Sequence, residues 1–507
     1  MLSLDGRSLN LDGVVRVARR GEAVRLAPAA VKRIDASRRT LERIVASGAV
    51  AYGIKTGFGE LASVAIPEPE ARRLQRNLLR SHAVGQGDPL PMDAVRATLL
   101  LRANALALGH SGVRRDLVGL LVRMLNRRVH PLIPSRGSLG ASGDLAPLAH
   151  LGLVLIGEGR AEVGGRVYSG AVALRRAGLR PIVLETKEGI ALINGTSAMT
   201  AVGALAAWDA IALLKDAQVA ASLSFEALRG SPQPYDDRIV ALKAQPGTRE
   251  VASNLRRLLK GSEVIPSHKG PHRVQDPYTL RCIPQVLGAC RSAALAAAET
   301  LRIEMNAATD NPLVFDRPPV SMSGGNFHGQ AVAMALDHLA LAMAVLAGFS
   351  ERRIARLVDT RLSDLPAFLT KEGGLNSGMM LLQYVAAGFA SDNKVLAHPA
   401  SADSIPTSAN QEDFVPMGMS AALKAEQALG NARRVVAIEY LAAAQGLEFL
   451  KPLRPGLGPR AVHARIREEI PPLGEDRAMA DEIDILRERT AKGELVAAAE
   501  KAAGRLA

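Results

Sequence analysis

The sequence has few aromatic residues and few cysteines, and each scarcity excludes a class of protein. Phe, Trp and Tyr make up only 3% of the 507 residues, so the core must be built mainly from Ala, Leu and Val. The chain has two cysteines, Cys282 and Cys290, which are too few for the disulfide framework of a large secreted protein. Their spacing lacks the partners of a metal-ligand pattern. The sequence therefore predicts core thiols in a reduced, cytoplasmic protein without a metal.

Long uninterrupted apolar runs and basic blocks are also missing. The most apolar segment, 331–349, is interrupted by Asp337 and His338, which favours a buried bundle helix over a membrane span. The N-terminus lacks the charged start and apolar run of a signal peptide. The formal net charge is +13, but the basic residues are scattered and are not interleaved with aromatic ones. A solvated basic surface is favoured over nucleic-acid binding, and a non-catalytic basic helical scaffold is the remote alternative.

Helix-forming residues are abundant. Hydrophobic residues account for 48% of the chain, and Ala and Leu, which favour helices, dominate its second part. Long helices that would pack as one central bundle are predicted over residues 201–217, 286–306, 331–346, 377–396 and 419–444. A Gly164-Gly165 turn predicts a small hairpin in the first part. The predicted fold is mainly α, with a smaller mixed N-terminal domain (1–197) and a long-helix bundle with peripheral C-terminal helices (198–507).

Residues 137–150 read Gly-Ser-Leu-Gly-Ala-Ser-Gly-Asp-Leu-Ala-Pro-Leu-Ala-His, with Ala141-Ser142-Gly143 at the centre. Because glycine lacks a Cβ, a tight loop could bring the Gly143 nitrogen onto the Ala141 carbonyl carbon. Loss of two waters would then give 4-methylidene-imidazol-5-one (MIO), an electrophile whose exocyclic methylene derives from Ser142. The alternative is an ordinary turn of small residues, and the tripeptide alone does not decide between the two.

The whole stretch resembles the signature of the aromatic amino acid ammonia-lyase family, and other segments resemble that family in the same order along the chain. They include the glycine-rich loop around Tyr52, the Ser81-His82 pair, the Asn194-Gly195-Thr196 motif, and residues 274–282, 309–313, 323–329, 374–378 and 404–413. The resemblance implies MIO formed autocatalytically from the chain itself, with no dissociable cofactor. It also implies the non-oxidative loss of ammonia from an aromatic amino acid.

The resemblance implies which side chains act. Tyr52 is the expected base near the substrate β-carbon, and Arg281 is expected to bind the substrate carboxylate through its bidentate fork. The expected catalytic set is Ala141, Ser142, Gly143, Tyr52, Tyr278, Phe327 and Glu412, and the expected substrate contacts are His82, Asn194, Gln275 and Arg281. The carrier of the electrophile and the substrate-facing side chains would thus come from segments far apart in the sequence.

Glu412 separates two substrate hypotheses within this family. A carboxylate suits an imidazole, which can donate a hydrogen bond or carry a charge, and it suits a phenyl ring badly because a buried unpaired charge is costly. The leading hypothesis is the conversion of L-histidine to trans-urocanate and ammonia. The alternative is an ammonia-lyase or aminomutase acting on tyrosine or phenylalanine. Lys55 departs from the usual family residue, and Ser197 and Phe414 depart from residues frequent in the members that act on histidine.

By resemblance the chain is also expected to form a homotetramer whose active sites are each shared among three subunits. Long helices rich in Ala and Leu would expose much apolar surface in a monomer, which fits such an assembly. The expected ligand is a small amino acid, and neither a nucleic acid nor a membrane is expected as a partner.

Overall fold

The structure is a computed structural model that describes residues 1–47, 66–67, 70–268 and 274–507. Helices dominate it, as the sequence predicts. Two compact units can be distinguished: the first comprises Met1–Trp208, Ala297–Asp337 and Pro399–Leu423, and the second comprises Asp209–Ala296, His338–His398 and Lys424–Ala507. Two later segments of the chain belong to the unit that contains the N-terminus, and the domain boundary predicted after residue 197 stays a prediction.

The first unit combines helices with small sheets. Its strands pair as Leu2–Leu4 with Val24–Leu26, which are parallel, and as the antiparallel sets Gln86–Pro89 with Pro134–Arg136, His130–Pro131 with Arg160–Val163 and Arg166–Ser169, and Leu313–Asp316 with Pro319–Met322. The hairpin predicted at Gly164-Gly165 is present, and its two glycines have positive φ angles. The helices of this unit are Leu11–Ala18, Pro28–Ala46, Ala71–His82, Met92–Ala107, Arg115–Asn126, Leu145–Leu155, Gly170–Arg176 and Glu188–Ile193, with a 3-10 turn at Ser408–Asn410.

Helix Met92–Ala107 lies inside this unit, and all of its residues from Ala94 onward are buried. Polar side chains on such a helix need partners within the protein. Arg96 donates to the carbonyl oxygens of Val17 and Ala18, at 2.7 Å from Nη2 and at 2.9 Å from Nε. The helix therefore carries cationic groups in an interior that is otherwise mostly apolar.

Long helices contribute residues to both units. They are Ser197–Ala227, Ile283–Glu304, Gln330–Val358 and Gly418–Glu448. They confirm the predicted long helices, and two of them, Ser197–Ala227 and Gln330–Val358, extend well beyond the predicted ends. Ser197–Ala227 and Gln330–Val358 are long and apolar enough to cross a membrane by length and composition alone. However, 78% and 56% of their most apolar windows are buried inside the protein, as core helices are.

The remaining helices belong to the second unit. They are Asp237–Ala241, Thr248–Leu258, Val264–Ser267, Tyr278–Arg281, Thr360–Ser363, Met380–Leu396, Leu457–Arg467, Ala480–Ala491 and Glu494–Ala503, with 3-10 turns at Gln233–Tyr235 and Ala367–Leu369. The last three α-helices correspond to the predicted peripheral C-terminal layer. Their salt bridges, such as Arg465 with Glu494 at 2.9 Å, join partly exposed side chains.

A fully buried ion pair lies in the core of the second unit. Arg353 Nε and Nη2 donate to the two carboxylate oxygens of Glu439 at 2.5 and 2.7 Å, and neither side chain is exposed. The hydroxyls of Ser224 and Ser350 donate to the same carboxylate at 2.7 and 2.5 Å. The bidentate geometry and the two additional donors compensate the loss of hydration that both charges undergo.

We expect Arg353→Met to destabilise the protein by ~3–5 kcal/mol, because it leaves the Glu439 carboxylate buried without its cation. Arg302→Met is the control, since Arg302 and its partner Glu299 are 48% and 56% exposed and their ion pair should contribute less than ~1 kcal/mol. Urea unfolding of both variants measures the difference. Equal losses of stability would contradict this account of the core.

Candidate active site

The segment around Ser142 lies against the segment around Gly195 in the first unit. The Gly195 amide donates to the Ser142 carbonyl oxygen at 3.2 Å, and the Asp144 amide donates to the Gly195 carbonyl oxygen at 2.8 Å. These bonds form an isolated parallel bridge between Gly143 and Gly195. The two peptide groups that flank the Gly143 Cα are therefore both held by one residue of the other segment.

Both positions of this bridge favour glycine. Gly143 has a φ of +73° and Gly195 a φ of +127°, which side chains with a Cβ rarely allow. A Cβ added at Gly143 would lie 2.2 Å from the carbonyl carbon and oxygen of Gly195. Among the described residues, the Gly143 amide has no hydrogen-bond acceptor. The tight backbone and the available glycine nitrogen fit ring closure onto Ala141, so the residues present fit MIO.

Asp144 joins this loop to helix Ser197–Ala227. Its Oδ2 accepts from the amides of Ala198 and Met199 at 2.8 and 2.9 Å, and its Oδ1 accepts from Ser138 Oγ at 2.8 Å. The carboxylate therefore caps the positive end of the helix dipole. Burial raises the pKa of Asp144 to about 6, although these hydrogen bonds oppose the rise.

Glu412 lies beside Ser142. The Ser142 hydroxyl donates to Glu412 Oε1 at 2.7 Å, and the Thr407 hydroxyl donates to Oε2 at 2.9 Å. The backbones of Thr407 and Glu412 pair in both directions at 2.9 and 3.2 Å. Ala141 packs with Val415 from the same segment. The carboxylate is therefore fixed next to the hydroxyl that MIO formation would remove.

His82 is the last residue of helix Ala71–His82, and its ring is held by the helix. Its Nδ1 lies 2.9 Å from the Leu78 carbonyl oxygen, which can only accept, so geometry assigns the proton to Nδ1. The other ring nitrogen, Nε2, is then an acceptor in the neutral form. Burial lowers the pKa of His82, while the Leu78 carbonyl and the charge of Glu412 oppose the shift. Burial thus favours the neutral form of the ring, and the ring lies close enough to Glu412 to interact with its charge.

Asn194 and Phe327 belong to segments that adjoin the same loop. Asn194 is 5% exposed, and its Oδ1 is buried without a partner among the described residues. Phe327 is half-buried in the turn before helix Gln330–Val358. That turn is tied to the loop because the Gly329 amide donates to the Gly140 carbonyl oxygen at 3.0 Å.

Gln275, Tyr278 and Arg281 lie in the second unit. The Arg281 guanidinium stands 4.6 Å from the centre of the Tyr278 ring, a cation–π contact. Gln275 and Arg281 line a cavity of about 840 Å³. Tyr278 is 69% exposed, and within the described part of the chain the buried Nε of Arg281 has no partner. These side chains are free to meet a ligand.

The sequence-predicted residues therefore fall into two groups. The first unit holds Ala141, Ser142, Gly143, His82, Asn194, Phe327 and Glu412, and the second holds Gln275, Tyr278 and Arg281. Tyr52 and Lys55 lie outside the described residues. The catalytic and binding roles of all these side chains stay predictions.

Sequence reasoning assigned no role to three residues of the first unit that hold the loop or its neighbours: Asp144, Thr407 and Arg102. Asp144 follows the tripeptide directly, and Thr407 lies in a segment already matched to the family. Arg102 had the clearest signal, since it stands in the apolar run Leu99-Leu100-Leu101-Arg102-Ala103. A lone charge at such a place indicates a specific internal partner.

Residues 9–468 match the aromatic amino acid lyase family. The chain belongs to this family. It is 54% identical over 501 residues to a histidine ammonia-lyase of Symbiobacterium thermophilum, and the match covers 99% of both chains. The solved histidine ammonia-lyase of Trypanosoma cruzi is 40% identical, with a TM-score of 0.92 over 99% of this chain and 95% of that one.

The fold itself does not separate the substrates found within the aromatic amino acid lyase family. A tyrosine aminomutase of Streptomyces globisporus superposes with a TM-score of 0.95 over 100% of both chains, at 36% identity. That value is as high as the value for the histidine enzyme. Substrate choice must therefore be argued from individual side chains.

We expect Asp144→Asn to change how stability depends on pH. The folded pKa of Asp144, about 6, lies above its ordinary value of 3.8, so the folded state holds this proton more tightly than the unfolded state. The free energy of unfolding of the wild type should therefore fall relative to that of the variant, by up to ~3 kcal/mol, as the pH rises from the ordinary pKa of 3.8 to the folded pKa of about 6. Above the window the difference should be constant.

Urea unfolding of wild type and Asp144→Asn in a series of buffers from about pH 4 to pH 7.5 measures this difference. The asparagine oxygen can still accept from the two helix amides, so the cap is kept. Parallel stability curves for the two proteins would show that Asp144 is not buried as an acid of raised pKa.

Proposed function

We propose that this protein is a histidine ammonia-lyase that converts L-histidine to trans-urocanate and ammonia. The observation that carries the proposal is the 2.7 Å hydrogen bond from Ser142 Oγ to Glu412 Oε1, because it sets a carboxylate beside the predicted electrophile. The 54% identity with a relative of that name supports the same substrate.

The proposed electrophile is MIO made from Ala141, Ser142 and Gly143. The positive φ of Gly143, its amide without an acceptor among the described residues, and the isolated bridge to Gly195 support ring formation at this place. Once formed, the group supplies an electrophilic carbon that activates the bound amino acid for loss of ammonia. The chain's own side chains must then bind the two ends of the substrate and move the β-proton.

His82 and Glu412 are proposed to bind the imidazole ring. His82 presents Nε2 as an acceptor, because its Nδ1 proton is engaged by the Leu78 carbonyl at 2.9 Å. The Glu412 carboxylate is a second acceptor. Two acceptors match the two N–H groups of an imidazolium, whereas a phenol offers one donor and a phenyl ring offers none. This arrangement favours histidine over phenylalanine and tyrosine.

The other end of the substrate is proposed to bind Arg281 and Asn194. The buried Nε of Arg281, which has no partner in the described part of the chain, and the position of Arg281 in the cavity of the second unit support a carboxylate ligand. Gln275 lines the same cavity and would add a polar contact. Tyr52 is proposed as the base, with Tyr278 and Phe327 lining the electrophile. The resemblance to the family supports these last three roles.

The proposal includes a cytoplasmic homotetramer with shared active sites. Helix Gln330–Val358 leaves Leu341 48% exposed, and helix Met380–Leu396 leaves Tyr384 60% exposed. Apolar surfaces of this kind mark protein interfaces. The two cysteines are both free, and burial raises the pKa of Cys290 to about 12. Inert thiols of this kind support a reducing compartment.

We expect the intact mass of the wild type to be lower than the encoded mass by two waters, with the loss mapping to residues 141–143. Ser142→Ala has no hydroxyl to lose, so its mass should be lower than its encoded mass by one water at most, and it should lose nearly all activity. Ser323→Ala, at an exposed serine of the same unit, is the matched control. Its mass should be lower than encoded by two waters, as in the wild type. Intact-mass and peptide mass spectrometry decide the matter, and an active wild type at its full encoded mass would refute the electrophile.

We expect Glu412→Gln to reduce histidine turnover steeply while the absorbance of the electrophile stays, because glutamine can still accept from Ser142 but carries no charge. Asp413→Asn is the matched control at an exposed neighbouring carboxylate. His82→Leu should lose histidine and gain weak activity with phenylalanine. Selectivity built on unpaired polar groups can reach ~10⁴-fold.

The measurement is incubation of each variant with L-histidine, L-tyrosine and L-phenylalanine while the ultraviolet band of each product is followed. Unchanged histidine turnover in Glu412→Gln would remove Glu412 from substrate recognition. Comparable turnover of tyrosine or phenylalanine by the wild type would favour the second candidate, a tyrosine or phenylalanine ammonia-lyase or aminomutase. The TM-score of 0.95 to a tyrosine aminomutase is the observation that keeps this candidate open.

A further inference from the structure

Arg102 is a buried cation whose only hydrogen bond within the described part of the chain goes to the backbone next to the proposed electrophile. Its Nη1 donates to the Asn194 carbonyl oxygen at 2.6 Å. The side chain is fully buried, and its Nε and Nη2 have no partner among the described residues. Burying a cation with a single hydrogen bond is energetically costly, so we expect that hydrogen bond to have a structural or functional role.

The bonded carbonyl belongs to the peptide group that leads into Gly195. The carbonyl of Asn194 and the amide of Gly195 are the two ends of one rigid peptide group. That amide donates to the Ser142 carbonyl oxygen at 3.2 Å. Fixing the Asn194 carbonyl therefore fixes the direction of the Gly195 N–H, and through it the Ser142–Gly143 peptide group.

Gly195 lacks a side chain where Arg102 approaches. A Cβ added there would lie 2.8 Å from Arg102 Nη1 and 2.5 Å from Thr309 Oγ1. Any side chain would push the guanidinium away from the Asn194 carbonyl. The absence of a Cβ at Gly195 thus permits both its own left-handed backbone, with a φ of +127°, and the approach of Arg102.

Nearby carboxylates balance the charge of Arg102 without forming hydrogen bonds to it. Asp310 and Asp144 are the groups whose charges oppose the effect of burial on the guanidinium. Asp310 accepts from the buried Lys187 Nζ at 2.6 Å, and Asp144 accepts from two helix amides. Both carboxylates therefore have other hydrogen-bond donors, and the Arg102 hydrogen bond goes from Nη1 to the Asn194 carbonyl oxygen.

We infer that Arg102 is a positioning residue for the formation of the electrophile, acting through the Asn194–Gly195 peptide group to hold the Ser142–Gly143 peptide group ready for ring closure. The inference rests on the proposed function, because it assigns a task in making the proposed MIO. It gives Arg102 no contact with the substrate.

Ring closure makes strong demands on the backbone. The Gly143 nitrogen bonds to the Ala141 carbonyl carbon, and the Ala141 oxygen leaves as water with the amide protons of Gly143 and Ser142. Ser142 then loses its hydroxyl and its α-proton as a second water. The first step needs the glycine nitrogen aimed at the carbonyl carbon, and such alignment can change a rate by orders of magnitude. Arg102 supplies alignment, and it neither gives nor takes a proton.

Arg96 is the matched control. It is buried on the same helix, Met92–Ala107, and its guanidinium also donates to backbone carbonyls, at 2.7 Å to Val17 and 3.2 Å to Leu125. Those carbonyls belong to segments other than 138–144 and 194–196. Loss of Arg96 therefore removes a buried cation and its hydrogen bonds without touching the proposed ring-forming loop.

The test uses Arg102→Met and Arg96→Met in the full-length chain. Each protein is made by cell-free synthesis, translation is stopped, and intact mass is followed with time while thermal unfolding is measured separately. We expect both variants to lose thermal stability. Only Arg102→Met should lose its two waters at least tenfold more slowly than the wild type. Arg102→Lys keeps the charge but has a shorter, unforked end, so it should also mature slowly.

The outcomes are distinct. If Arg102→Met loses its two waters at the wild-type rate, the inference is overturned and the proposed function stays intact. The same conclusion follows if Arg96→Met loses its two waters as slowly as Arg102→Met does. If Arg102→Met does not fold, maturation of folded Arg102→Lys at the wild-type rate overturns the inference in the same way. A wild type that stays at its encoded mass would overturn both the inference and the proposed electrophile.

Discussion

The bridge between Gly143 and Gly195 is the contact on which the rest of the first unit's site depends. It consists of two backbone hydrogen bonds, at 2.8 and 3.2 Å, between chain segments some fifty residues apart. Neither segment forms a strand, so no sheet enforces the pairing. Two glycines with positive φ make the close approach possible, and side chains around them must keep it in place. This explains why charged residues are buried so near to a loop of small residues.

Asp144 and Arg102 form hydrogen bonds with the backbone rather than with each other. The Asp144 carboxylate accepts from the first amides of helix Ser197–Ala227 and so ties the helix to the loop. Burial of a carboxylate is costly, as its pKa of about 6 shows, and the folded protein tolerates this cost because the helix end compensates part of it. Arg102 acts on the other side, at the Asn194 carbonyl. The Gly143–Gly195 bridge thus has a buried charged group on each side, Asp144 in the segment of Gly143 and Arg102 at the segment of Gly195.

Much of the fold follows from the sequence, and the limits have physical causes. The long helices could be predicted because Ala- and Leu-rich periodic stretches leave few other choices. Their ends were less certain, since helix Gln330–Val358 continues through polar residues that only tertiary contacts bury. The proposed electrophile loop could be predicted because residues 137–150 resemble the signature of the aromatic amino acid ammonia-lyase family, whereas the tripeptide Ala141-Ser142-Gly143 alone also suits an ordinary turn. Arg102 could not be assigned a role, because it acts through a contact with Asn194, which is distant in the sequence, and periodicity carries no information about such contacts. Thr407 contacts Glu412 within its own segment, but only the folded turn brings the two side chains together.

The two ends of the proposed imidazole site also show why the fold alone cannot specify the substrate. The backbone that places Glu412 beside Ser142 has close structural relatives named for histidine and for tyrosine, so it does not encode the choice. The choice of substrate must depend on which side-chain atoms would face the ring of the substrate. His82 turns its proton toward the Leu78 carbonyl and leaves an acceptor, and Glu412 has both oxygens oriented by hydroxyl donors. Dehydration of Ser142 would remove one of these donors, so maturation would free Glu412 Oε1 for a new partner. The same carboxylate oxygen that holds the serine before MIO forms would then be the acceptor left for the imidazole afterwards, which links the making of the electrophile to the recognition of its substrate.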